Sequence, residues 1–291
     1  MSHTFAFDGD VITSRQNRRI VELMKLDDRK AREKSRLFRF DGIKLLCEAI
    51  RRGVTLDSVF LRAGTAERVE ERMKELYGCS LTEANCPIIG VEDTLFEKIS
   101  QENAPEGVIT VANYIDKSHN FIIIYNKDET PVREDAPVLL VESVRDPLNV
   151  GAVIRTAAAL GVGHIMMSAD CADLYHPRTL RAAMGPLFSM PITRVGDLAG
   201  SIRALRAEGR RIYAAALDDS AIRLGSREFE AEKGSVPHGR LGAVIGNEGH
   251  GLSEAVISAC DRTVYIPMQA DTESLNAGVA AALIAWELCK D

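Results

Sequence analysis

The sequence has 291 residues, of which 46% are hydrophobic and 27% charged, and its formal net charge is −6. These values are normal for a soluble globular protein with room for two domains. No apolar stretch approaches the roughly 18 residues that span a bilayer, so we expect no membrane partner. The six cysteines form no C-x-x-C pair and have no histidine at metal spacing. We therefore predict reduced thiols, no metal site and a cytoplasmic location.

The first part of the chain predicts a small α/β domain with a basic segment. Helices are predicted near residues 15–34, 43–52 and 66–77, and strands at SVFLR, near Pro87–Val91 and at GVITVAN. Between Arg15 and Arg52, 13 Lys and Arg residues stand against 6 Asp and Glu, whereas the whole chain has 36 against 42. A basic segment on an acidic protein indicates contact with a polyanion. For a charge run alone, a solvated helical face is the simpler interpretation.

A polar, proline-containing stretch near residues 116–137 marks a domain boundary. We predict a first domain at residues 1–115, a linker at 116–136 and a second domain at 137–291.

The second domain alternates regularly between apolar strands and helices. Strands are predicted at VLLVES, HIMMSA, MPITRV, RIYAAAL, LGAVIG and TVYIPM, and helices near 150–160, 178–184, 197–208, 252–260 and 275–289. This alternation predicts a parallel sheet that is covered on both faces. Ligands bind such sheets beyond the carboxyl ends of the strands.

The first chemically unusual strand end precedes a helix that contains Asn149, Gly151 and Arg155. A dinucleotide fingerprint requires three glycines, and this stretch has only Gly151. Asn149 is a plausible helix N-cap. Taken alone, Arg155 is most simply a surface salt-bridge partner. The helix is apolar almost all round, however, which predicts that Arg155 is buried and needs an anionic partner.

The second strand end is LGAVIGNEGHGLSEAV, in which glycines allow a backbone to approach a ligand closely. A phosphate loop requires Lys or Ser/Thr, whereas Glu248 repels phosphate. The loop therefore suits a neutral or cationic ligand. A tight turn, with Glu248 near the start of the next helix, is an equally good structural interpretation.

The third strand end runs from Ile266-Pro267-Met268 to Ser274-Leu275-Asn276. Ser274 is a candidate N-cap for the last helix. That helix is apolar on most faces, so it is predicted to lie in the core or at a subunit interface. Asn276, one turn inside it, then needs hydrogen-bond partners.

In this order, N-x-G-x-x-x-R, G-N-E-G-x-G-L-S and I-P-M…S-L-N resemble the three motifs of SpoU-type (TrmH-class) RNA methyltransferases of the SPOUT superfamily. The resemblance covers roughly 137–291. Ile12–Gly42 and Pro105–Val111 resemble the RNA-binding substrate domain, with a ribosomal-protein-like α/β fold, that is often fused to these enzymes.

The resemblance implies a parallel-sheet α/β domain with a deep trefoil knot, which forms a homodimer. It also implies transfer of a methyl group from S-adenosylmethionine to a ribose 2′-hydroxyl of structured RNA, with rRNA as the expected substrate. Where the family often has Val-Ser-Val, this chain has Ala277-Gly278-Val279, and Gly278 is expected to allow a close helix approach.

The resemblance assigns three groups of residues. The expected catalytic group is Asn149, Arg155, Glu248, Ser274 and Asn276. The expected cofactor-binding residues are Ile245, Gly246, Asn247, Gly249, Gly251, Ile266, Pro267, Met268, Ser274 and Leu275. The expected RNA-binding residues are Arg15, Arg18, Lys25, Arg29, Lys30, Arg32, Lys34 and Arg155.

Four other functions compete with this assignment. A tRNA 2′-O-methyltransferase and an rRNA methyltransferase that confers antibiotic resistance share the same motifs. A non-catalytic RNA-binding protein is disfavoured because the motif residues are intact. A nucleotide-dependent oxidoreductase is disfavoured because the glycine fingerprint is missing.

Overall fold

The computed structural model describes residues 6–115, 135–247, 249–269 and 274–290. The α-helices in these ranges are α1 Arg18–Lys25, α2 Arg29–Ser35, α3 Ile43–Arg51, α4 Ala66–Tyr77, α5 Asp93–Ile99, α6 Pro147–Leu160, α7 Pro177–Ala183, α8 Leu198–Ala207, α9 Arg227–Lys233, α10 Glu254–Ala259 and α11 Ala277–Cys289. The strands are β1 Leu37–Asp41, β2 Leu56–Arg62, β3 Ile88–Val91, β4 Val108–Asn113, β5 Val138–Val141, β6 His164–Ser168, β7 Ile192–Val195, β8 Arg211–Ala215, β9 Ile222–Arg223, β10 Leu241–Ile245 and β11 Arg262–Tyr265. Every helix in the described part is too short or too polar to traverse a lipid bilayer.

The chain packs as two units. The first comprises Met1–Ile115 with Tyr175–Phe188, and the second comprises Asp116–Leu174 with Ser189–Asp291. The segment Tyr175–Phe188, which carries α7, therefore belongs to the first unit, although it lies within the second domain predicted from sequence.

The first unit contains a four-stranded sheet in the order β1-β4-β2-β3. The β1–β4 and β4–β2 pairs are antiparallel, and the β2–β3 pair is parallel. Apolar residues of α1 and α5 pack with β2, β3 and β4 to form one buried core cluster. The mixed α/β character of this unit agrees with the sequence prediction.

The single helix predicted for the basic segment is broken into α1 and α2. Asp28 caps α2 by accepting a hydrogen bond of 3.0 Å from the Ala31 backbone N–H. Arg32 is buried, with 1% of its surface exposed, and its guanidinium donates to the backbone carbonyls of Leu26 at 2.7 Å and Asp27 at 2.9 Å. These bonds stabilise the break between the two helices.

The second unit contains a seven-stranded sheet in the order β7-β6-β5-β10-β8-β11-β9. All of its strand pairs are parallel, which confirms the predicted parallel sheet. Each of the six predicted strands forms, and the short β9 was not predicted. The order makes β5, β10, β8 and β11 neighbours, so the loops that follow them leave from one edge of the sheet.

Two of the six cysteines lie side by side in the first unit. Cys47 on α3 and Cys79 after α4 have their Cα atoms 6.2 Å apart, because the packing of α3 against α4 brings together cysteines that lie 32 residues apart. This Cα separation is in the range that a disulfide can bridge, and the reduced state of the thiols stays a prediction. Cys86, Cys171, Cys260 and Cys289 are free thiols.

A buried histidine couples the second unit to pH. The Nε2 atom of His164 lies 2.8 Å from Thr193 Oγ1. Burial, reinforced by the positive charge of Arg210, lowers the pKa of His164 from 6.5 to about 4. The folded protein thus disfavours the imidazolium that the unfolded chain forms below about pH 6.5.

Stability should therefore fall as the pH is lowered from 7 to 4. At pH 4 the His164 contribution amounts to a loss of about 3 kcal/mol in the free energy of unfolding, because the folded pKa is depressed. His164→Gln cannot titrate at this position. Between pH 7 and pH 4, its free energy of unfolding, measured with urea, should therefore fall by about 3 kcal/mol less than that of the parent. His238→Gln, at an exposed histidine, is the matched control and should behave like the parent. Equal acid sensitivity of His164→Gln and the parent would contradict this prediction.

Candidate functional site

A cavity of about 280 Å³ lies at the carboxyl edge of the large sheet. Segments that follow β8, β10 and β11, together with the start of α11, form its wall. The described lining residues are Ala215, Ala216, Leu217, Ile245, Gly246, Asn247, Gly251, Val264, Tyr265, Ile266, Met268, Ser274, Leu275, Ala277 and Ala280. None of these described residues is charged, so the cavity suits a neutral or weakly cationic ligand and offers no cation to a phosphate.

The loop after β10 is held in shape by backbone contact. A side chain at Gly246 would overlap the backbone of Gly251 and Leu252. Asn247 and Gly251 exchange two backbone hydrogen bonds, of 3.1 and 2.8 Å. Gly251 has a φ of +66°, which glycine adopts without strain. The two glycines are therefore required for the loop to fold back on itself.

The side chain of Asn247 fixes the same loop from within. Its Oδ1 atom accepts hydrogen bonds from the backbone N–H groups of Gly249 at 2.8 Å and His250 at 3.3 Å. Its Nδ2 atom donates to the carbonyl oxygen of Ser143 at 2.9 Å. The amide thus ties the glycine loop to the end of β5, a role that the sequence analysis did not foresee.

Ser143 is in turn held by the end of β6. It has a φ of +55°, uncommon for a residue with a side chain. Its N–H donates to Ser168 Oγ at 2.9 Å, and its hydroxyl donates to Asp170 Oδ2 at 2.7 Å. Burial opposes ionisation of Asp170, but hydrogen bonds from Ser168, Ser143 and Arg145 outweigh it and lower the pKa of this carboxyl. A charged Asp170 therefore stabilises the strained turn that receives Asn247.

Two asparagines from distant motifs meet between α6 and α11. The Nδ2 atom of Asn276 donates to Oδ1 of Asn149 at 2.8 Å. The Oδ1 atom of Asn276 accepts from the backbone N–H groups of Gly278 at 2.9 Å and Val279 at 3.4 Å. Asn276 is therefore the N-cap of α11, which corrects the candidate cap Ser274 and the placement of Asn276 inside the helix. The N-cap of α6 is Asp146 and not Asn149.

Gly278 permits the close contact between these helices. A Cβ atom at this position would lie 3.0 Å from the Cβ of Ala152 on α6 and 3.2 Å from Asn276 Oδ1. This spacing is consistent with the close approach expected from sequence. The approach also brings Asn149 within reach of Asn276.

Arg155 differs from its prediction. Its side chain is exposed, and it makes no hydrogen bond or ion pair with the part of the chain that the structure describes. The predicted burial is wrong because α6 buries Val153, Ile154 and Ala157 against the protein and leaves the opposite face in solvent. On that face the guanidinium is exposed and accessible to an external anion.

The structure gathers most of the expected cofactor residues but not all of them. Those that line the cavity are Ile245, Gly246, Asn247, Gly251, Ile266, Met268, Ser274 and Leu275. Gly249 and Pro267 lie in the same loops without lining it. Glu248 lies outside the described residues. Ala215, Ala216 and Leu217 also line the cavity and were not predicted, although the apolar end of RIYAAAL could have indicated them.

The seven expected RNA-binding residues of the first unit fall into three classes. Arg15, Lys25, Lys30 and Lys34 are exposed. Arg18 and Arg29 each form an ion pair of 2.8 Å with the glutamate four residues later. Arg32 is buried, and its guanidinium bonds to backbone carbonyls, so its assignment as an RNA contact is wrong.

Two family models match the chain. The SpoU rRNA Methylase family matches residues 136–286, and the MRM3-like substrate binding domain matches residues 17–110. The cavity described above lies within the region that the SpoU rRNA Methylase family matches.

Known proteins resemble the chain over nearly its whole length. A 23S rRNA (guanosine(2553)-2′-O)-methyltransferase, RlmP of Bacillus subtilis, is 26% identical over 95% of this chain and 98% of its own. A 23S rRNA (uridine(2479)-2′-O)-methyltransferase of Streptomyces viridochromogenes is 31% identical over 95% of this chain and 90% of its own. The crystal structure of the SpoU methyltransferase AviRb from the same organism, in complex with AdoMet, superposes with a TM-score of 0.75 at 27% identity, over 94% of this chain and 98% of that one.

The glycine loop allows a matched pair of substitutions. Gly246→Ala should abolish detectable S-adenosylmethionine binding in isothermal titration calorimetry, because the added methyl group overlaps the backbone of Gly251. Gly249→Ala should bind within about threefold of the parent, since its Cβ would meet only Asn247 Oδ1 at 3.4 Å. Equal affinities of the two variants would contradict this account of the loop.

Proposed function

The chain belongs to the SpoU rRNA methylase family, and we propose that it transfers the methyl group of S-adenosylmethionine to a ribose 2′-hydroxyl of rRNA. The observation that carries this proposal is the uncharged cavity, where the expected cofactor loops meet beside the Asn149–Asn276 pair. We assign RNA binding to residues 1–115 and methyl transfer to residues 137–291. The two full-length relatives are named for 23S rRNA, which favours rRNA over tRNA.

The lining residues fit the cofactor. Backbone groups of Gly246 and Met268 and the apolar side chains of Ile245, Ile266 and Leu275 suit a neutral adenosine. A dinucleotide is disfavoured because its pyrophosphate would find no cation among the described lining residues. When bound, the cofactor supplies an electrophilic methyl group on a sulfonium.

The protein must position the attacking ribose, because a sugar hydroxyl is a poor nucleophile at neutral pH. We assign Ser274, in the cavity wall, and Asn276 to this task. The amide of Asn276 is well suited because its cap bonds and its bond to Asn149 fix its orientation. Glu248 is proposed to orient Asn149 or Arg155.

Arg155 is proposed to bind the phosphate of the target nucleotide through its planar guanidinium. A guanidinium retains its proton in proteins, so a role as the general base is disfavoured. The exposure of Arg155 and its freedom from partners in the described chain support this assignment. The proton of the ribose hydroxyl leaves through phosphate or water.

We further propose that the second domain forms a homodimer. Four large apolar residues are exposed on α6 and α11: Leu148, Val279, Leu283 and Trp286. Arg155 follows Leu148 by seven residues on α6, and hence lies on the same helix face. A dimer that covers this face places Arg155 at the interface, beside the site of one protomer.

Light scattering at micromolar concentration should give the mass of a dimer. A monomeric mass would contradict the proposed dimer.

A trefoil knot is also proposed for this domain. The supporting observation is that the loops after β10 and β11 line one cavity and that Gly246 packs directly against the backbone of Gly251. A crystallographic trace from β11 to α11 tests the threading, and an unthreaded trace would contradict it. An rRNA substrate also favours the cytoplasmic location predicted from sequence.

The direct test is methyl transfer to unmodified rRNA from radiolabelled S-adenosylmethionine, followed by mapping of 2′-O-methyl sites. The parent should label one ribose. Arg155→Lys should lower kcat/KM at least tenfold, because lysine keeps the charge but loses the paired donors. Its affinity for S-adenosylmethionine should stay within twofold, since Arg155 does not line the cavity.

The matched control is Arg203→Lys, an exposed arginine of the same unit whose ion pair with Asp197 is long, at 3.8 Å. It should retain parental activity. Label on a base, or no transfer at all to rRNA, would contradict the proposed function. Near-full activity of Arg155→Lys would contradict the phosphate-binding role of the guanidinium.

A further inference from the structure

A second and larger cavity, of about 660 Å³, lies in the first unit between the helices α1 and α2 and the strands β2, β3 and β4. Its volume is within the range of roughly 300–1,000 Å³ that is usual for small-molecule sites. The residues that line it belong entirely to the first unit, and none belongs to the cavity described above. The proposed methyl-transfer chemistry does not use it.

The floor of this cavity is apolar. Leu23, Leu26, Phe60, Ile89 and Val111 line it and belong to the core cluster of the unit. Such a floor can accept the flat, weakly hydrated face of a nucleobase, as apolar and aromatic surfaces do in proteins that bind single-stranded RNA.

The rim carries free cations. Arg19, Lys25 and Lys34 line the cavity and are exposed, and none of them forms an ion pair within the described ranges. The neighbouring arginines of the same helices, Arg18 and Arg29, are instead paired with glutamates. The positive charges that remain unneutralised at the cavity are therefore available to phosphate groups.

The rim also carries acceptors. Glu22 is engaged by Arg18 at 2.8 Å. Asp57 is exposed at the cavity and accepts a hydrogen bond of 3.0 Å from Ser58. It makes no other hydrogen bond or ion pair with the residues that the structure describes. A carboxylate repels phosphate but accepts hydrogen bonds from the amino group of a base. The mixture of cations and one available carboxylate suits a nucleotide with its base inside and its phosphates outside.

We propose that this cavity binds an unpaired nucleotide of the RNA substrate, with a base that carries an amino group. The base lies on the Phe60 floor, Asp57 accepts from its amino group, and Lys25 and Lys34 contact the flanking phosphates. This inference rests on the proposed function, since it assumes an RNA substrate. It adds a site at which the first unit distinguishes one base from another.

The test uses the full-length protein and a fluorescein-labelled ten-nucleotide oligocytidylate in fluorescence anisotropy at low salt. Lys25→Gln/Lys34→Gln should weaken binding at least fivefold. The matched control is Arg68→Gln/Lys98→Gln, which removes the same charge from exposed positions of the same unit that do not line the cavity, and it should weaken binding less than twofold. Equal losses in the two variants would overturn the proposal, because net charge alone would then explain binding.

Filling the cavity tests entry of the base separately from charge. Ala31, half-buried on α2, lines the cavity, and Ala31→Trp should weaken oligocytidylate binding at least fivefold. If circular dichroism shows that this variant is unfolded, the smaller substitution Ala31→Leu replaces it. That variant should bind oligocytidylate at least twofold more weakly than the parent. Undiminished binding by a folded cavity-filled variant would overturn the proposal and leave the cavity to another occupant, such as a protein segment.

Base preference tests the role of Asp57. The parent should bind oligocytidylate at least threefold more tightly than oligouridylate, and Asp57→Ala should lose that preference without weaker binding of oligouridylate. A parent with no preference, or an unchanged preference in Asp57→Ala, would overturn this role. Methyl transfer to rRNA by the parent is a separate measurement, so these outcomes can be negative while the proposed function stands.

Discussion

The candidate site depends on a loop whose backbone folds against itself. Gly246 leaves room for the chain at Gly251, and Asn247 joins the loop to the turn at Ser143. A residue with a side chain at position 246 could not make this contact, because its Cβ atom would occupy the space of the backbone at Gly251. The result is an uncharged cavity wall, lined by Ile245, Ile266 and Leu275 among others, that can follow the outline of a neutral nucleoside.

A second close approach brings the other half of the site into place. Gly278 allows α11 to lie against Ala152 of α6, and the same approach joins Asn276 to Asn149. The cap of α11 and the site therefore share one side chain. The helix that Asn276 caps also contributes Ala277 and Ala280 to the cavity wall. The shared side chain predicts coupling, since a change at the cap alters helix stability and site geometry together.

Periodicity and residue type predicted the parallel sheet, because its strands are continuous apolar runs, and the motif loops, because their glycines and polar residues follow strands. The roles of individual side chains were harder to predict from sequence. Ser274 and Asn276 are equally good caps in sequence, and only packing against α6 selects Asn276. Arg32 looks like its basic neighbours until the break between α1 and α2 buries it. The exposed face of α6 at Arg155 could not be predicted from sequence, because nearly every residue around Arg155 is apolar.

The central claim is that the carboxyl edge of the large sheet forms a site for an uncharged nucleoside with a sulfonium tail, and not for a phosphate. Isothermal titration calorimetry of the parent protein tests this claim most directly. S-adenosylmethionine and S-adenosylhomocysteine should bind with dissociation constants in the micromolar range, whereas ATP and NAD should give no heat at the same concentrations. Binding of either phosphate-bearing ligand in competition with S-adenosylmethionine, or no binding of the two sulfur-containing ligands, would contradict it.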